Sequence, residues 1–324
     1  MDKKNLYPIR YVSQRTGLTP HVIRAWENRY QAVVPHRSAK NRRLYSEDEV
    51  LRLKLLKSIT DAGQTISQVA QLDSADLQKL AQQDKAEIPR TRPKYGGPSE
   101  PAVAADYFKQ CLAAVLNLDP DGLERSYDRA AVDLTRPVLL KDLIVPLFKE
   151  IGKRWHGGSL KIVNEHMATT VTRNFLLGML RSTQISDPAP IIVVATTVGQ
   201  WHDVGALTVA LTAAENGWHP IYYGPNLPAE EIAAAVKHSG ARAVAISITH
   251  LLDQHSLVDE LRKLRRYIDD EVNFFVGGRA VTDYAQILEE VNANYIKNIE
   301  QFSDFLNSLS NANLGGKLGT SIKL

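Results

Sequence analysis

The stretch IIVVATTVGQWHDVGA, residues 191–206, decides the fold of the second half of this chain. Its apolar beginning, residues 191–195, is typical of a strand buried in a parallel sheet. Residues 206–216, which follow it, have the spacing of an amphipathic helix. His202 therefore falls on the loop at the carboxyl end of a strand, which is the edge where open α/β sheets bind ligands.

The same alternation continues over residues 186–310 and predicts a doubly wound parallel sheet of about five strands, a Rossmann-like α/β domain. Strands are predicted at residues 191–197, 220–223, 243–248, 274–276 and 293–296, with helices at residues 206–216, 229–238, 255–268 and 281–290. Residues 311–324, rich in Asn and Gly, are predicted to be a disordered tail.

Residues 102–185 have a helical pattern, broken near Pro120 and again at Gly157 and Gly158. About four helices fit there, which is enough for a four-helix bundle. Upstream of it, prolines and a Gly-Gly pair indicate a linker, which we place at residues 76–101.

Residues 1–75 predict a small helical domain that meets DNA. Two short helices, at residues 9–16 and 20–30, flank a turn, with Thr19 as the expected N-cap and Pro20 as the first helical residue. A helix-turn-helix inserts its second helix into the major groove, so Arg24 and Arg29 are expected to face DNA. In the basic loop that follows, the residues expected at the phosphates are Arg42, Arg43 and Tyr45.

The charge distribution supports a polyanionic partner for the N-terminal domain. Residues 1–72 contain thirteen Lys and Arg against six Asp and Glu, a net charge of +7. The whole chain carries +3, so the remainder carries −4. The single cysteine, Cys111, excludes an internal disulfide framework. Without a signal peptide or a membrane-length apolar run, we expect a cytoplasmic protein with no membrane partner.

Residues 7–59 resemble the MerR family of winged helix-turn-helix regulators. The likeness rests on Gly17-Leu18, the segment RAWENRY at residues 24–30, Pro35, RRLY at residues 42–45 and the leucine-rich helix that follows. The resemblance implies binding to double-stranded operator DNA as a dimer. The chain lacks the long dimerising coiled coil of the metal-sensing members, so later domains are expected to bring subunits together.

Two further clusters fall at the same predicted sheet edge as His202 and Gly205. Ser247 and Thr249 end one strand, where their hydroxyls suit the polar atoms of a buried ligand. Gly277 and Gly278 end the next strand, where a missing Cβ permits close approach of a ligand to the backbone. Taken alone, each of these signals is weak.

Together these clusters resemble the cobalamin-binding fold. That resemblance implies that His202 binds cobalt as the lower axial ligand, in place of the dimethylbenzimidazole base, while the other residues surround the displaced tail. Gln200 stands where an acidic residue is usual. An amide can orient the imidazole but cannot exchange a proton with it, which counts against pH-linked ligation.

Residues 102–310 as a whole resemble the light-sensing part of CarH-type, or LitR-type, regulators. The resemblance implies adenosylcobalamin as cofactor, with methylcobalamin as the alternative form. It also implies that Trp155 packs on the adenosyl group and that Glu165 and His166 line the same pocket. His156 matches a histidine that can bind cobalt from above once the adenosyl group is lost.

These expectations amount to a light-switched transcriptional repressor, not an enzyme, that assembles with itself as a dimer or tetramer. A light-independent sensor of cobalamin or a related corrinoid remains open on sequence grounds. A corrinoid carrier of an enzyme is a distant third, because no segment remains for a substrate barrel or methyltransferase module.

Overall fold

The computed structural model describes residues 6–18, 20–38, 42–61, 64, 66–83, 100–183, 185, 188–249, 254–281 and 285–315. Its backbone contacts divide the chain into two compact units, Met1–Gln184 and Ile185–Leu324. Within the described part of the chain, every helix is too short or too polar to span a lipid bilayer.

The first unit begins with a winged helix-turn-helix. Its elements are β1 (Tyr7–Pro8), α1 (Ile9–Thr16), α2 (Pro20–Tyr30), β2 (His36–Arg37), β3 (Arg43–Tyr45), α3 (Glu47–Asp61), α4 (Ile66–Val69) and α5 (Ser74–Gln83). The three strands form an antiparallel sheet in the order β1-β3-β2, which is the wing.

Local sequence explains the helix boundaries in this domain. Gly17 ends α1 in the left-handed conformation with φ of 71°, and Pro20 opens α2. The predicted N-cap, Thr19, lies outside the described residues. A capping box opens α3: Ser46 N–H donates to Glu49 Oε2 at 2.7 Å, and Glu49 N–H donates to Ser46 Oγ at 3.3 Å.

A helical bundle completes the first unit, as predicted. It consists of α6 (Glu100–Leu116), α7 (Pro120–Asp133), the short α8 (Arg136–Val138), α9 (Val145–His156) and α10 (Ile162–Ser182). Tyr127 is fully buried at its centre, where its hydroxyl lies 2.7 Å from Thr172 Oγ1 and its ring stacks on Phe175.

A π-helical segment, Leu139–Ile144, joins α8 to α9 without a break. The backbone N–H of Val145 donates to Leu140 O, five residues back. Pro146 follows it and has no N–H to continue an ordinary ladder, which accounts for the wider turn at this point.

The second unit is the predicted doubly wound sheet. Its strands are β4 (Ile191–Thr197), β5 (His219–Leu227), β6 (Ala243–Ser247), β7 (Asn273–Gly277) and β8 (Asn294–Ile296). All pairings are parallel, in the order β5-β4-β6-β7-β8. The helices are α11 (Val204–Glu215), α12 (Ala229–Ser239), α13 (Gln254–Tyr267), α14 (Ala285–Glu290) and α15 (Ile299–Gly315).

Two domain boundaries differ from the sequence prediction, and the strand predicted at residues 220–223 is longer, at His219–Leu227. Residues 76–83, predicted to begin the linker, belong to α5, whose Leu77 is fully buried in the core of the helix-turn-helix domain. Residues 311–315, predicted as tail, continue α15, which is anchored by the buried Phe302 and Leu306. The last two residues of the predicted linker, Glu100 and Pro101, open α6. The rest of the predicted linker, residues 84–99, and of the predicted tail, residues 316–324, lies outside the described residues.

Candidate functional site

The loop that carries His202 leaves β4 at the carboxyl edge of the sheet, where the sequence placed it. His202 is half-buried there. Asp203 follows it at the start of α11, fully buried, and accepts a short hydrogen bond from the Tyr222 hydroxyl. Trp201, on the other side of His202, is 66% exposed. The loop therefore presents the side chains of Trp201 and His202, while Asp203 is fixed in the interior.

Three hydrogen bonds connect this loop, the end of β4 and β5 to one another. Asn226 Oδ1 accepts from Gly199 N–H at 2.7 Å, and Asn226 N–H donates to Thr196 Oγ1 at 2.8 Å. The Thr196 hydroxyl donates a short hydrogen bond to Gln200 O. Asn226 has φ of 62°, and the pairing of β4 with β5 shifts register beside it. This irregularity turns the Asn226 carboxamide toward the loop.

Gln200 holds the loop from its other side. It is fully buried, and its Oε1 accepts from the backbone N–H of Thr249 at 2.9 Å and from Thr249 Oγ1 at 3.4 Å. The residue that replaces the usual acid therefore supplies an acceptor that connects the His202 loop to the end of β6.

Gly205 and Ser247 face each other at this edge. A Cβ on residue 205 would lie 2.8 Å from Ser247 Oγ, which is closer than real Cβ atoms come. Ser247 is 5% exposed. Glycine at position 205 thus avoids a clash with the buried Ser247 hydroxyl and lets the start of α11 approach the end of β6.

Gly277 and Gly278 have a different structural reason from the one the sequence suggested. A Cβ on Gly278, at φ of 116°, would lie 2.1 Å from the Ile248 carbonyl oxygen, and one on Gly277 would lie 3.2 Å from Ile296 Cβ. Packing between protein segments therefore requires glycine at position 278, and a Cβ on Gly277 would need Ile296 to shift by a few tenths of an ångström. That packing brings the end of β7 against the end of β6.

A second group of predicted residues lies at one end of the bundle in the first unit. Trp155 and His156 end α9, with their rings edge-to-face at 4.8 Å, and Trp155 is 39% exposed. Glu165, in the first turn of α10, accepts from Thr169 Oγ1 at 2.8 Å and pairs with His166 Nδ1 at 2.7 Å. Glu165 is buried and its geometry is fixed, whereas His156 and His166 are exposed.

The predicted DNA-contacting residues divide into two sets. Arg24 and Arg42 are exposed. Arg43 Nε donates to Glu27 Oε2 at 2.7 Å and so ties the wing to α2. Tyr45 is fully buried, and its hydroxyl lies 3.5 Å from Glu27 Oε2. The expected phosphate contact of Tyr45 is therefore wrong: its ring fills the core between the wing and α2.

Arg29, also predicted to face DNA, is bonded within the first unit. Its Nη1 lies 3.1 Å from Asp133 Oδ1, and the neighbouring Tyr30 hydroxyl donates to the same oxygen at 2.8 Å. Asp133 is the last residue of α7, so these bonds join α2 to the bundle.

Sequence reasoning missed several residues of the site, above all Thr196 and Asn226. The available signal for Asn226 was the cluster GPNLP at residues 224–228, typical of irregular backbone, since Asn tolerates the left-handed conformation. Asp133 had no comparable signal, because its partners lie about a hundred residues away in sequence.

Comparison with known proteins agrees with this arrangement. Residues 7–76 match the MerR HTH family regulatory protein model, and residues 107–176 and 190–298 match two B12 binding domain models. The chain is 26% identical to the HTH-type transcriptional repressor CarH of Myxococcus xanthus, over 91% of this chain and 96% of that protein. It is 23% identical to CarA of the same organism, over 94% and 97%.

Among solved structures, the monomethylamine corrinoid protein of Methanosarcina barkeri superposes with a TM-score of 0.53 at 16% identity, covering 63% of this chain and 99% of that one. This likeness concerns the fold alone.

The residues present fit a cobalamin. The sheet edge offers the half-buried His202 imidazole, the Ser247 hydroxyl and, beside that hydroxyl, a glycine whose missing side chain leaves it unobstructed. The chain thus matches a MerR-type helix-turn-helix model at residues 7–76 and B12 binding domain models after it, and it is similar over nearly its whole length to the repressors CarH and CarA.

Proposed function

We propose that this chain is a DNA-binding transcriptional repressor that binds adenosylcobalamin and is switched by light through a change of oligomeric state. The observation that carries the proposal is the joining, in one chain, of a MerR-type domain with a sheet edge that carries the half-buried His202 imidazole, Gly205 and the Ser247 hydroxyl. The similar CarH and CarA proteins are transcriptional repressors by name, which supports repression as the sign of regulation.

On the lower side of the cofactor, His202 is the proposed cobalt ligand, since its loop holds it at the open edge of the sheet. Ser247 and Thr249 supply hydroxyls for the polar atoms of the cofactor tail, and Gly205 leaves room for that tail. Adenosylcobalamin, when bound, supplies a cobalt–carbon bond that light can break.

On the upper side, the end of the bundle is the proposed cap. Apolar side chains are exposed there: Trp155 at 39%, Val163 at 49% and Ile162 at 59%. Apolar surface of this kind favours a partner that removes it from water. With the cofactor bound, Trp155 would contact the adenosyl group, and His156 would be a second candidate ligand for cobalt.

On the DNA side, Arg24 and Arg42 are the proposed contacts, and Arg29 is a further one whose Nη1 is bonded to Asp133 in this structure. Joining several DNA-binding domains in one assembly raises their effective concentration at the operator. Disassembly therefore releases DNA without altering any contact to it.

The experiment is a comparison of the purified full-length chain, loaded with adenosylcobalamin, in the dark and after green light. We expect the absorption spectrum to change on illumination, the oligomer to dissociate in gel filtration, and a duplex selected by the protein to be released. If the absorption spectrum, the oligomeric mass and the DNA binding are the same in the dark and after illumination, the light-independent cobalamin sensor is favoured. A chain that binds cobalamin but no duplex contradicts the proposed regulator and favours a corrinoid carrier.

A further inference from the structure

Asp133, at the carboxyl end of α7, gathers three side chains from two domains. Arg29 Nη1 lies 3.1 Å from its Oδ1 and 3.2 Å from its Oδ2, and the Tyr30 hydroxyl donates to Oδ1 at 2.8 Å. The Tyr107 hydroxyl, on α6, donates a short hydrogen bond to Oδ2. Burial raises the pKa of Tyr107 to about 12, so this hydroxyl remains a donor near neutral pH.

Apolar packing supports the same contact. Val132, next to Asp133, is 5% exposed and belongs to the hydrophobic core of the DNA-binding domain, together with Trp26 of α2. A cavity of about 520 Å³ lies alongside, lined by Arg24 and Lys57 from the DNA-binding domain and by Glu124 and Asp128 from α7. The cationic side of α2 thus faces carboxylates of the bundle.

We propose that this part of α7 is a docking surface for α2 that competes with DNA. The inference rests on the proposed DNA-binding function. Arg29 presents its Nη1 to Asp133, so a phosphate contact by the same N–H groups requires that bond to break. The major groove, about 12 Å wide, admits one helix of about 10–12 Å diameter, so α2 cannot enter it with α7 packed on that side.

The bundle therefore holds the DNA-binding domain in an arrangement that excludes the operator. Apparent DNA affinity falls in proportion to the fraction of molecules in which α2 is released. Any change that weakens the contact at Asp133 raises that fraction and tightens DNA binding, although it touches no DNA contact.

The test uses the full-length protein with two matched variants. Asp133→Asn removes the charge at the docking surface, while Asp106→Asn removes the same charge from an exposed position on α6, where Asp106 pairs with Lys109. The probe is a duplex of about 30 base pairs, roughly three helical turns, selected by the parent protein from a random pool. Binding is measured by fluorescence anisotropy, and circular dichroism confirms that each variant is folded.

We expect Asp133→Asn to bind this duplex about tenfold more tightly than Asp106→Asn, since bonds to a charged group are the strong ones. Tyr107→Phe, which removes a hydroxyl and no charge, should also increase DNA affinity, but by a smaller factor than Asp133→Asn. In hydrogen exchange, the amides at the end of α7 should lose protection when the duplex binds the parent protein.

Equal affinities of the Asp133→Asn and Asp106→Asn variants, or unchanged protection of α7 in the DNA complex, would overturn the docking proposal and leave DNA binding intact. A parent protein that selects no duplex contradicts the proposed function itself, and the competition proposed here falls with it.

Discussion

At the scale of single residues, His202 is held by a loop that is bonded on both sides. Asn226 and Thr196 fix the loop against β5, and Gln200 fixes it against the end of β6. The loop therefore orients the His202 imidazole, the proposed cobalt ligand, in the cofactor-free protein. Binding of the cofactor then requires less ordering of the loop. The His202 imidazole and the residues that hold its loop can therefore be tested by separate substitutions.

Replacing the imidazole tests its role directly. His202→Ala is expected to lower cobalamin affinity by more than about tenfold, because even changes to outer-shell partners cost that much. The absorption features of histidine ligation should disappear from whatever cobalamin remains bound. Titration of the cofactor-free protein, followed by absorbance, measures both effects.

The control for this prediction is His238→Ala, which removes an exposed histidine from the last turn of α12. Parent-like affinity and spectrum in His202→Ala would sink the assignment of the lower ligand. Equal losses in both variants would show that the effect does not belong to position 202.

Asn226 tests the support of the loop. Asn226→Gly keeps the φ of 62° accessible but removes the acceptor for Gly199 N–H, whereas Asn226→Asp keeps an acceptor. We expect the Gly variant to bind cobalamin about tenfold more weakly and the Asp variant to stay near the parent. Melting temperatures of the cofactor-free proteins serve as the check on folding, and identical affinities for all three proteins would refute the role of Asn226.

Residues of the site were predictable from sequence where a motif carried them. His202, Gly205 and Ser247 follow strands that read clearly as buried, so their meeting at one edge followed from parallel topology. The position of Asn226 could not be predicted in this way, because a local register shift between β4 and β5 brings it to the loop. Arg29 was placed correctly on α2, but its partner depends on the packing of two domains, which no local pattern encodes.

At the scale of elements, α15 is the clearest difference between sequence and structure. Its sequence, IEQFSDFLNSLSNANLG, contains many Ser and Asn residues, which are weak helix formers. Tertiary contacts compensate for this weakness. Phe302 packs edge-to-face on Phe275 of β7 at 5.4 Å, and Trp218 Nε1 donates to Leu306 O at 3.4 Å. The helix is thus a structural part of the cobalamin-binding domain.

Removing its anchor should unfold this domain more easily. Phe302 is fully buried, so Phe302→Ala is expected to lower the free energy of unfolding by about 3–5 kcal/mol. Chemical denaturation followed by circular dichroism measures the change. Phe302→Leu, which leaves a smaller cavity, should lose clearly less, and a loss below about 1 kcal/mol in the Ala variant would indicate that α15 contributes little.

At the scale of the whole molecule, the proposed switch requires that the state of the upper ligand reach the subunit assembly. Trp155 is the candidate link, since it ends α9 and is 39% exposed at the end of the bundle that is proposed to cap the cofactor. Its exposure also makes it a suitable probe. Truncating a half-exposed side chain costs less stability than truncating a buried one, so Trp155→Ala is expected to fold.

Trp155→Ala should still bind cobalamin, because His202 and the residues around the cofactor tail are untouched. It should fail to assemble in the dark, since the proposed contact between Trp155 and the adenosyl group is missing. Sedimentation with adenosylcobalamin, in the dark and after illumination, gives the readout. Tyr267→Ala, which removes an aromatic side chain 42% exposed on α13, is the matched control and should behave as the parent. A Trp155→Ala protein that assembles in the dark and separates in light would remove Trp155 from the switch, because the cofactor state would then reach the assembly by another route.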